Sequence, residues 1–294
     1  MAARQLIDLP AVFTTLPYGL WDTIQTPSPD GVHWQQGVTW PERCPTGDTT
    51  YDECLSVTGT GAPPEPEPEP KTANVEQTNR GALPFTVYAR FDCSPVGLGD
   101  AQSSAQDALA RVEQQQVETA FWTGAAGGQP VVFPHLAADT EVLDGDIVLQ
   151  TVASPVVTGA DAAYALGALE QELAGCYAGQ GLIHVPRTAL PTLAAWNLVE
   201  VRDGVLYTLA GNRIVAGGGY TGSGPDGSAP AAGTTWIYAT GAAWGYRSDV
   251  YVSQVRDSLN RSANTLQMLA ERNYLIGFEC CHLAAHIVLG VPTE

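Results

Sequence analysis

The stretch that most constrains this chain is Asp100–Trp122 (DAQSSAQDALARVEQQQVETAFW), its longest run of helix formers without glycine or proline. Asp100 or Ser103 can cap the first amides. Ala105, Ala108, Leu109, Val112, Ala120 and Phe121 recur at steps of three and four and make one apolar stripe, while Gln102, Gln106, Arg111, Glu113, Gln114 and Glu118 fall mostly elsewhere. A helix of that length is a rod of about 30 Å. Its thin, alanine-rich stripe suits a rod laid along a sheet. Gly124 and the Gly127-Gly128 pair end it.

The texture differs on either side of that rod. Residues 1–40 carry prolines at 10, 17, 27 and 29, which bar a long helix, yet they hold Phe13, Tyr18, Leu20, Trp21, Trp34 and Trp40. Such an arm is too apolar for a solvated tail and too broken for a core of its own. It must pack on its own domain or on a neighbouring subunit. Residues 41–82 are the least globular part. Pro63–Pro70 reads PPEPEPEP, an extended polyproline composition with its charges outward, inside a surrounding of Gly, Thr, Glu and Asn. Gly37–Trp40 and Leu83–Phe91 read as strands, the latter with Phe85, Val87 and Ala89 alternating with Thr86, Tyr88 and Arg90. Two strands around a long tip predict a projecting hairpin, which needs a partner surface.

After the rod, helix and short strand alternate as in a compact α+β lobe. The pattern predicts a hairpin at Asp144-Gly145, a helix over 161–177 capped by Asp161, a strand Leu182–Val185, a short helix in Pro186–Trp196, and a strand pair around Ala210-Gly211. Gly217–Gly233 reads as a flexible loop. Strands follow at Trp236–Thr240, Trp244–Arg247 and Val250–Ser253, with two more in 263–289, expected to pair under the long helix.

Chemistry-bearing motifs are scarce. Gly217-x-Gly219-x-x-Gly222 follows a strand but runs into turn sequence rather than a helix, so no pyrophosphate site is expected. There is no GxxxxGK[ST] loop, no GxSxG elbow and no HExxH; His282 and His286 fit a strand as well as a helix. No cofactor, metal or catalytic residue is expected. Of the six cysteines, Cys280 and Cys281 read as small buried residues, and Cys44 and Cys54 as a pair only under oxidation. The net charge of −18, with Lys71 the sole lysine, disfavours phosphate-backbone binding. Lys71 on the projecting loop is a candidate for an isopeptide crosslink, against the plainer reading of a solvated lysine among glutamates. No stretch has the length and apolarity of a membrane span, and the N-terminus lacks a secretory pattern.

This order of parts resembles the major capsid proteins of tailed bacteriophages, a fold shared with encapsulins. The stretches similar to those of actinobacterial phages and prophages are Leu83–Asp100 leading into the helix with its Phe121–Gly124 end, Ile183–Trp196 (IHVPRTALPTLAAW), Arg213–Gly227 (RIVAGGGYTGSGPDG), Trp236–Gly241 (WIYATG) and Leu269–Cys281 (LAERNYLIGFECC). The resemblance implies an α+β capsid fold. Residues 1–40 would be an N-terminal arm, 41–90 an extended loop, 91–159 a peripheral domain with spine helix 100–122, 160–235 an axial domain, and 236–294 the completion of the peripheral domain. It implies a shell subunit that self-assembles into hexamers and pentamers around double-stranded DNA, found in the virion and assembled in the bacterial host cytoplasm. DNA would be a partner only by non-specific proximity. A start directly at the arm would call for a separate scaffolding protein, and a decoration protein is a further possible partner. Trp21, Trp34, Trp40, Lys71, Phe85 and Tyr88 are the candidate inter-subunit contacts. The competing readings are an encapsulin shell, a tail or decoration protein, and an acidic carbohydrate-active enzyme drawing on the seven tryptophans and eleven tyrosines.

Overall fold

The computed structural model describes residues 13–42, 44, 78–93, 98–126, 129–130, 132–256, 258–262 and 264–290. In chain order the elements are α1 (Leu20–Thr23), β1 (Val38–Pro41), β2 (Asn79–Ala82), β3 (Phe85–Cys93), α2 (Leu98–Thr123), β4 (Ala125–Ala126), β5 (Gln129–Pro130), β6 (Val142–Asp144), β7 (Ile147–Gln150), β8 (Ser154–Ala160), α3 (Ala162–Tyr177), β9 (Leu182–Pro186), α4 (Leu190–Ala195), β10 (Val199–Arg202), β11 (Val205–Thr208), β12 (Arg213–Gly217), β13 (Thr234–Thr240), β14 (Ala243–Arg247), β15 (Tyr251–Gln254), β16 (Leu266–Phe278) and β17 (His282–Val288).

Helix α2 is longer than the sequence pattern predicts, 26 residues or about 39 Å. Ala101, Ala105, Leu109, Val117, Ala120, Phe121 and Trp122 are buried. It lies on a sheet whose centre is β16, with β14 and β15 along one side and β3 along the other, all antiparallel. The expectation that the late strands pair under the long helix is met by β14, β15 and β16; β13 and β17 lie in a different sheet. The small alanines let the rod sit close to the sheet, and the large residues of its C-terminal turn fill the space beyond the sheet's end.

A second layer is a mixed seven-stranded sheet in the order β10-β11-β12-β9-β13-β17-β8, parallel at β12/β9 and β17/β8. Helix α3 covers it. Asp161 caps that helix, accepting from the Tyr164 amide at 2.8 Å, and Ala162, Ala165, Leu166, Leu169 and Leu173 pack against Ile183, Val185, Ile214 and Ile237. Strand β17, which the sequence division placed with the 236–294 segment, pairs along its whole length with β13 inside this sheet.

One strand pairing needs correction. The strand partner of Val38–Pro41 is Asn79–Ala82, not Leu83–Phe91. Pro84 has no amide to give a ladder, so the strand breaks there, and Phe85–Cys93 turns away to pair with β16. The β1–β2 ribbon then joins the β6–β7 hairpin in a separate sheet, β1-β2-β7-β6. The predicted strand pair around Ala210-Gly211 forms, with β11 and β12 antiparallel and meeting at Tyr207 and Arg213, and β12 takes the parallel β9 on its other side.

Among the described residues no helix is long and apolar enough to cross a membrane.

Candidate assembly surfaces

The arm is sewn to the body by its backbone. Gln114 of α2 binds both polar groups of Leu16, accepting from its amide at 2.9 Å and donating to its carbonyl at 3.0 Å. Arg187 donates to the Pro17 carbonyl at 3.0 Å, and the Ala216 amide donates to the Tyr18 carbonyl at 2.7 Å. Gln25 exchanges two hydrogen bonds with β14, at 3.1 and 2.9 Å. A proline-broken segment cannot satisfy its own amides, so its neighbours in the fold do.

Glu118 is the centre of this arrangement. It is 1% exposed, yet it is ringed by donors: the Leu20 amide at 3.1 Å, the Gly219 amide at 2.9 Å and the Gln114 side-chain amide at 3.1 Å. Burial pushes its carboxyl above the usual range, and the Gly219, Leu20, Gln114 and Gly218 donors pull it back. One carboxylate thereby joins the arm, the helix and the glycine-rich loop.

That loop is a further correction, since its first turn is packed, not loose. An added Cβ at Gly219 would lie 2.1 Å from the Gln115 carbonyl oxygen and 2.8 Å from the Thr119 nitrogen. Thr119 donates to the Gly219 carbonyl at 2.9 Å. Next along the loop, Tyr220 packs at a tilt against Trp122 with ring centroids 4.6 Å apart, and the Trp122 indole donates to the Ser223 hydroxyl at 3.0 Å. Glycine is needed here for closeness to the helix backbone.

The predicted contact residues have different fates. Trp34 is buried against Tyr246 at 5.8 Å, and Phe85 is buried and stacked on Tyr274 at 5.8 Å, both within the subunit. Trp21 and Trp40 are half-buried. Trp21 meets Tyr274 edge-on at 5.4 Å and lies under Arg247, and Trp40 meets Trp244 edge-on at 5.0 Å. Tyr88 is 47% exposed on β3. Lys71 lies outside the described residues. Among those residues β3 pairs with β16 alone, which leaves its other edge open. Along that edge runs a groove of about 450 Å³ lined by Phe85, Tyr88 and Arg90 on one side and Ala108, Val112 and Gln116 of α2 on the other.

Sequence reasoning missed the cysteine chemistry. Cys44 bonds to Cys280, with Cα atoms 5.7 Å apart, and Cys176 bonds to Cys281, with Cα atoms 5.9 Å apart. The Cys44–Cys54 pair considered for an oxidising medium is thereby replaced by Cys44–Cys280, and Cys54 lies outside the described residues. The adjacency of Cys280 and Cys281 was the available signal, but partners 236 and 105 residues away leave no local pattern. Glu42, Cys44 and Cys280 bring potential ligand atoms within 4.8 Å of one another. Their sulfurs are joined and Glu42 receives Arg80 at 2.6 Å, so the trio is already satisfied.

His184, His282 and His286 are sheet residues, whereas His33 is exposed in a short turn and His135 is half-buried in a loop. His184 bridges the Tyr220 hydroxyl at 3.1 Å and the Thr240 hydroxyl at 3.0 Å; burial, then the nearby His282, pushes it down to about 3. His282 sits 2.9 Å from the Leu136 carbonyl through Nε2, and burial pushes it down to about 4. His286, on the same strand as His282, meets Trp236 of the neighbouring β13 with ring centroids 5.0 Å apart.

No protein-family model and no curated protein sequence matches this chain. Solved structures do match in fold. The capsid of an empty GTA particle aligns with 13% identity over 98% of this chain and 95% of that one, at a TM-score of 0.53. A chain of Mycobacterium phage Ogopogo aligns with 12% identity over 98% and 96%, also at 0.53. The holo-SrpI encapsulin of Synechococcus elongatus aligns with 12% identity over 100% and 95%, at 0.54. The chain has the α+β fold common to phage-type capsid subunits and encapsulin shells.

Proposed function

We propose that this chain is the repeating subunit of an icosahedral phage-type shell around double-stranded DNA. The observation that carries the reading is the match of nearly the whole chain to a capsid subunit, arm and ribbon included. An open strand edge beside an apolar groove, and a β1–β2 ribbon built on only four residues per strand, both suit contacts between copies. Tyr88, at the rim of that groove, is the strongest of the predicted contacts between subunits. Trp21 and Trp40 present partly exposed edges, whereas Trp34 and Phe85 serve the subunit's own core. Many weak repeated contacts make a strong shell, and the acidic chain would let packaged DNA slide rather than stick. The proposed partners are other copies in hexamers and pentamers, with separate scaffolding and decoration proteins as further partners, in a virion assembled in the host cytoplasm. The division into arm, extended loop, peripheral domain and axial domain belongs to the same proposal. So does a structural, non-enzymatic role.

Negative-stain imaging of the chain made with and without its neighbouring genes tests this: closed shells are expected at least in the co-expressed sample, and a stable monomer across the micromolar range in both would refute it. The encapsulin match supports a second reading, a protein-filled compartment. Nuclease-protected DNA in shells made with the neighbouring phage genes supports the first reading; a co-purifying cargo protein with no DNA supports the second.

A further inference from the structure

Four of the six cysteines meet at one turn. Cys280 and Cys281 join the two long late strands, β16 in the sheet under α2 and β17 in the seven-stranded sheet. Cys281 takes a left-handed φ of +69°, and the Gly241 amide holds the Cys280 carbonyl at 2.9 Å, so the turn is fixed from both sides. Cys176 reaches it from the last turn of α3. Cys44 reaches it from the root of the excursion, just outside the Glu42 amide that closes the β1–β2 ribbon on the Thr78 carbonyl at 2.8 Å. Both sulfurs of the turn are buried, at 1% and 5% exposure, whereas Cys44 and Cys176 are half-buried.

We propose that Cys44, Cys176, Cys280 and Cys281 form a thiol–disulfide exchange site. It takes a low-molecular-weight disulfide as oxidant and locks the excursion root and helix α3 onto one turn after the chain leaves a reducing compartment. Under the shell reading the chain is made in the host cytoplasm, where thiols stay reduced, so these bonds belong to a later stage. The more exposed sulfurs react first. The Cys44 thiolate attacks the small disulfide, expels one small thiol and leaves a mixed disulfide. The Cys280 thiolate then attacks the Cys44 sulfur and expels the second. Two protein thiols give up two electrons and two protons, and the small disulfide becomes two thiols. Cys176 and Cys281 repeat the exchange. The exchange chemistry is independent of the shell reading; the reduced starting state and the timing of the lock rest on it.

The consequence is a change in what is covalently continuous. In the reduced chain the root of residues 45–77 is held by the β1–β2 ribbon and the Arg80–Glu42 pair. In the oxidised chain it shares one covalent body with both sheets and α3.

The test is acid-quenched alkylation of the full-length chain. Material trapped in cells should alkylate at Cys44, Cys176, Cys280 and Cys281. After incubation with oxidised glutathione all four should be protected, with crosslinked peptides 44/280 and 176/281. Bonds already complete in the trapped cells, or a 44/54 crosslink, would overturn the proposal. A second readout is the thermal midpoint, expected to be several degrees higher oxidised than reduced. Cys44→Ser and Cys280→Ser should each remove the same part of that difference, and Cys54→Ser none. A loss with Cys54→Ser, or no difference in wild type, would also overturn it. These readouts hold for soluble chain, so failure to form shells does not confound them.

Discussion

Replacing Gly219 by alanine tests the central packing argument directly. The new methyl would sit 2.1 Å from the Gln115 carbonyl oxygen and 2.8 Å from the Thr119 nitrogen, both backbone atoms of the helix, which cannot swing away. The loop must lift. It then loses the Gly219 amide bond to Glu118 and the Thr119 bond to the Gly219 carbonyl. A bond to a buried charge contributes about 1.5–3 kcal/mol and a neutral one about 1 kcal/mol, so the loss is roughly 2.5–4 kcal/mol. Unfolding entropy of about 2.1 cal/mol/K per residue gives a chain of this length a shift of about 1.6 °C per kcal/mol, hence a midpoint lower by about 4–6 °C. The control is Gly167→Ala in the interior of α3, where nothing lies within 4 Å of the added methyl. Removing a helical glycine there should stabilise by about 0.5–1 kcal/mol and raise the midpoint by about 1 °C. Calorimetry or circular dichroism on samples in the same assembly state decides. A Gly219→Ala midpoint within about 1 °C of wild type would refute the claim that close backbone approach holds the loop.

Trp34→Ala should lower stability by about 3–5 kcal/mol in denaturant titration, because this tryptophan is core within its own subunit; a change under 1 kcal/mol would show that the arm docks elsewhere. The thermal midpoint should fall on acidification. His184 and His282 have folded pKa values depressed to about 3 and about 4, so their full contribution is present above about pH 6.5 and is lost as pH falls through that window. Glu118, raised by burial, acts in the opposite direction between its raised pKa and 4.5, but it is one group against two. His282→Gln should flatten the profile, and a wild-type midpoint constant from pH 7 to 4.5 would contradict the buried neutral pair. Deleting residues 45–77 should leave a folded chain that stops at monomer or capsomer in size-exclusion chromatography; normal closed shells would remove the proposed role of the excursion.

Much of the fold is legible where local chemistry decides it. The α2 and α3 helices announce themselves by spacing, and Asp161 by its cap. The strands β13 to β17 follow from alternation and turn residues. The failures share one cause, which is distance along the chain. The strand Phe85–Cys93 is readable, but its choice of β16 over the nearer Val38–Pro41 depends on a partner about 180 residues away. A run of glycines looks the same in sequence whether it is loose or pressed onto a helix; only Glu118, an isolated acid between Val117 and Thr119, hints that something polar must meet the rod there. Of the residues expected at contacts between copies, Tyr88 stands exposed, whereas Trp34 of the arm and Phe85 of β3 are buried in the subunit's own interior, because an apolar side chain settles on whichever surface is nearest.

Between Gln114 and Thr119, little more than one turn of the long helix, the side chains grip the arm through Leu16 and Leu20 and the loop through Gly219. A kink introduced at that turn cannot be local. It would have to let go of a segment from the chain's beginning and another from its third quarter in the same movement, which makes this short span of rod a mechanical junction where bending, arm release and loop release are a single event.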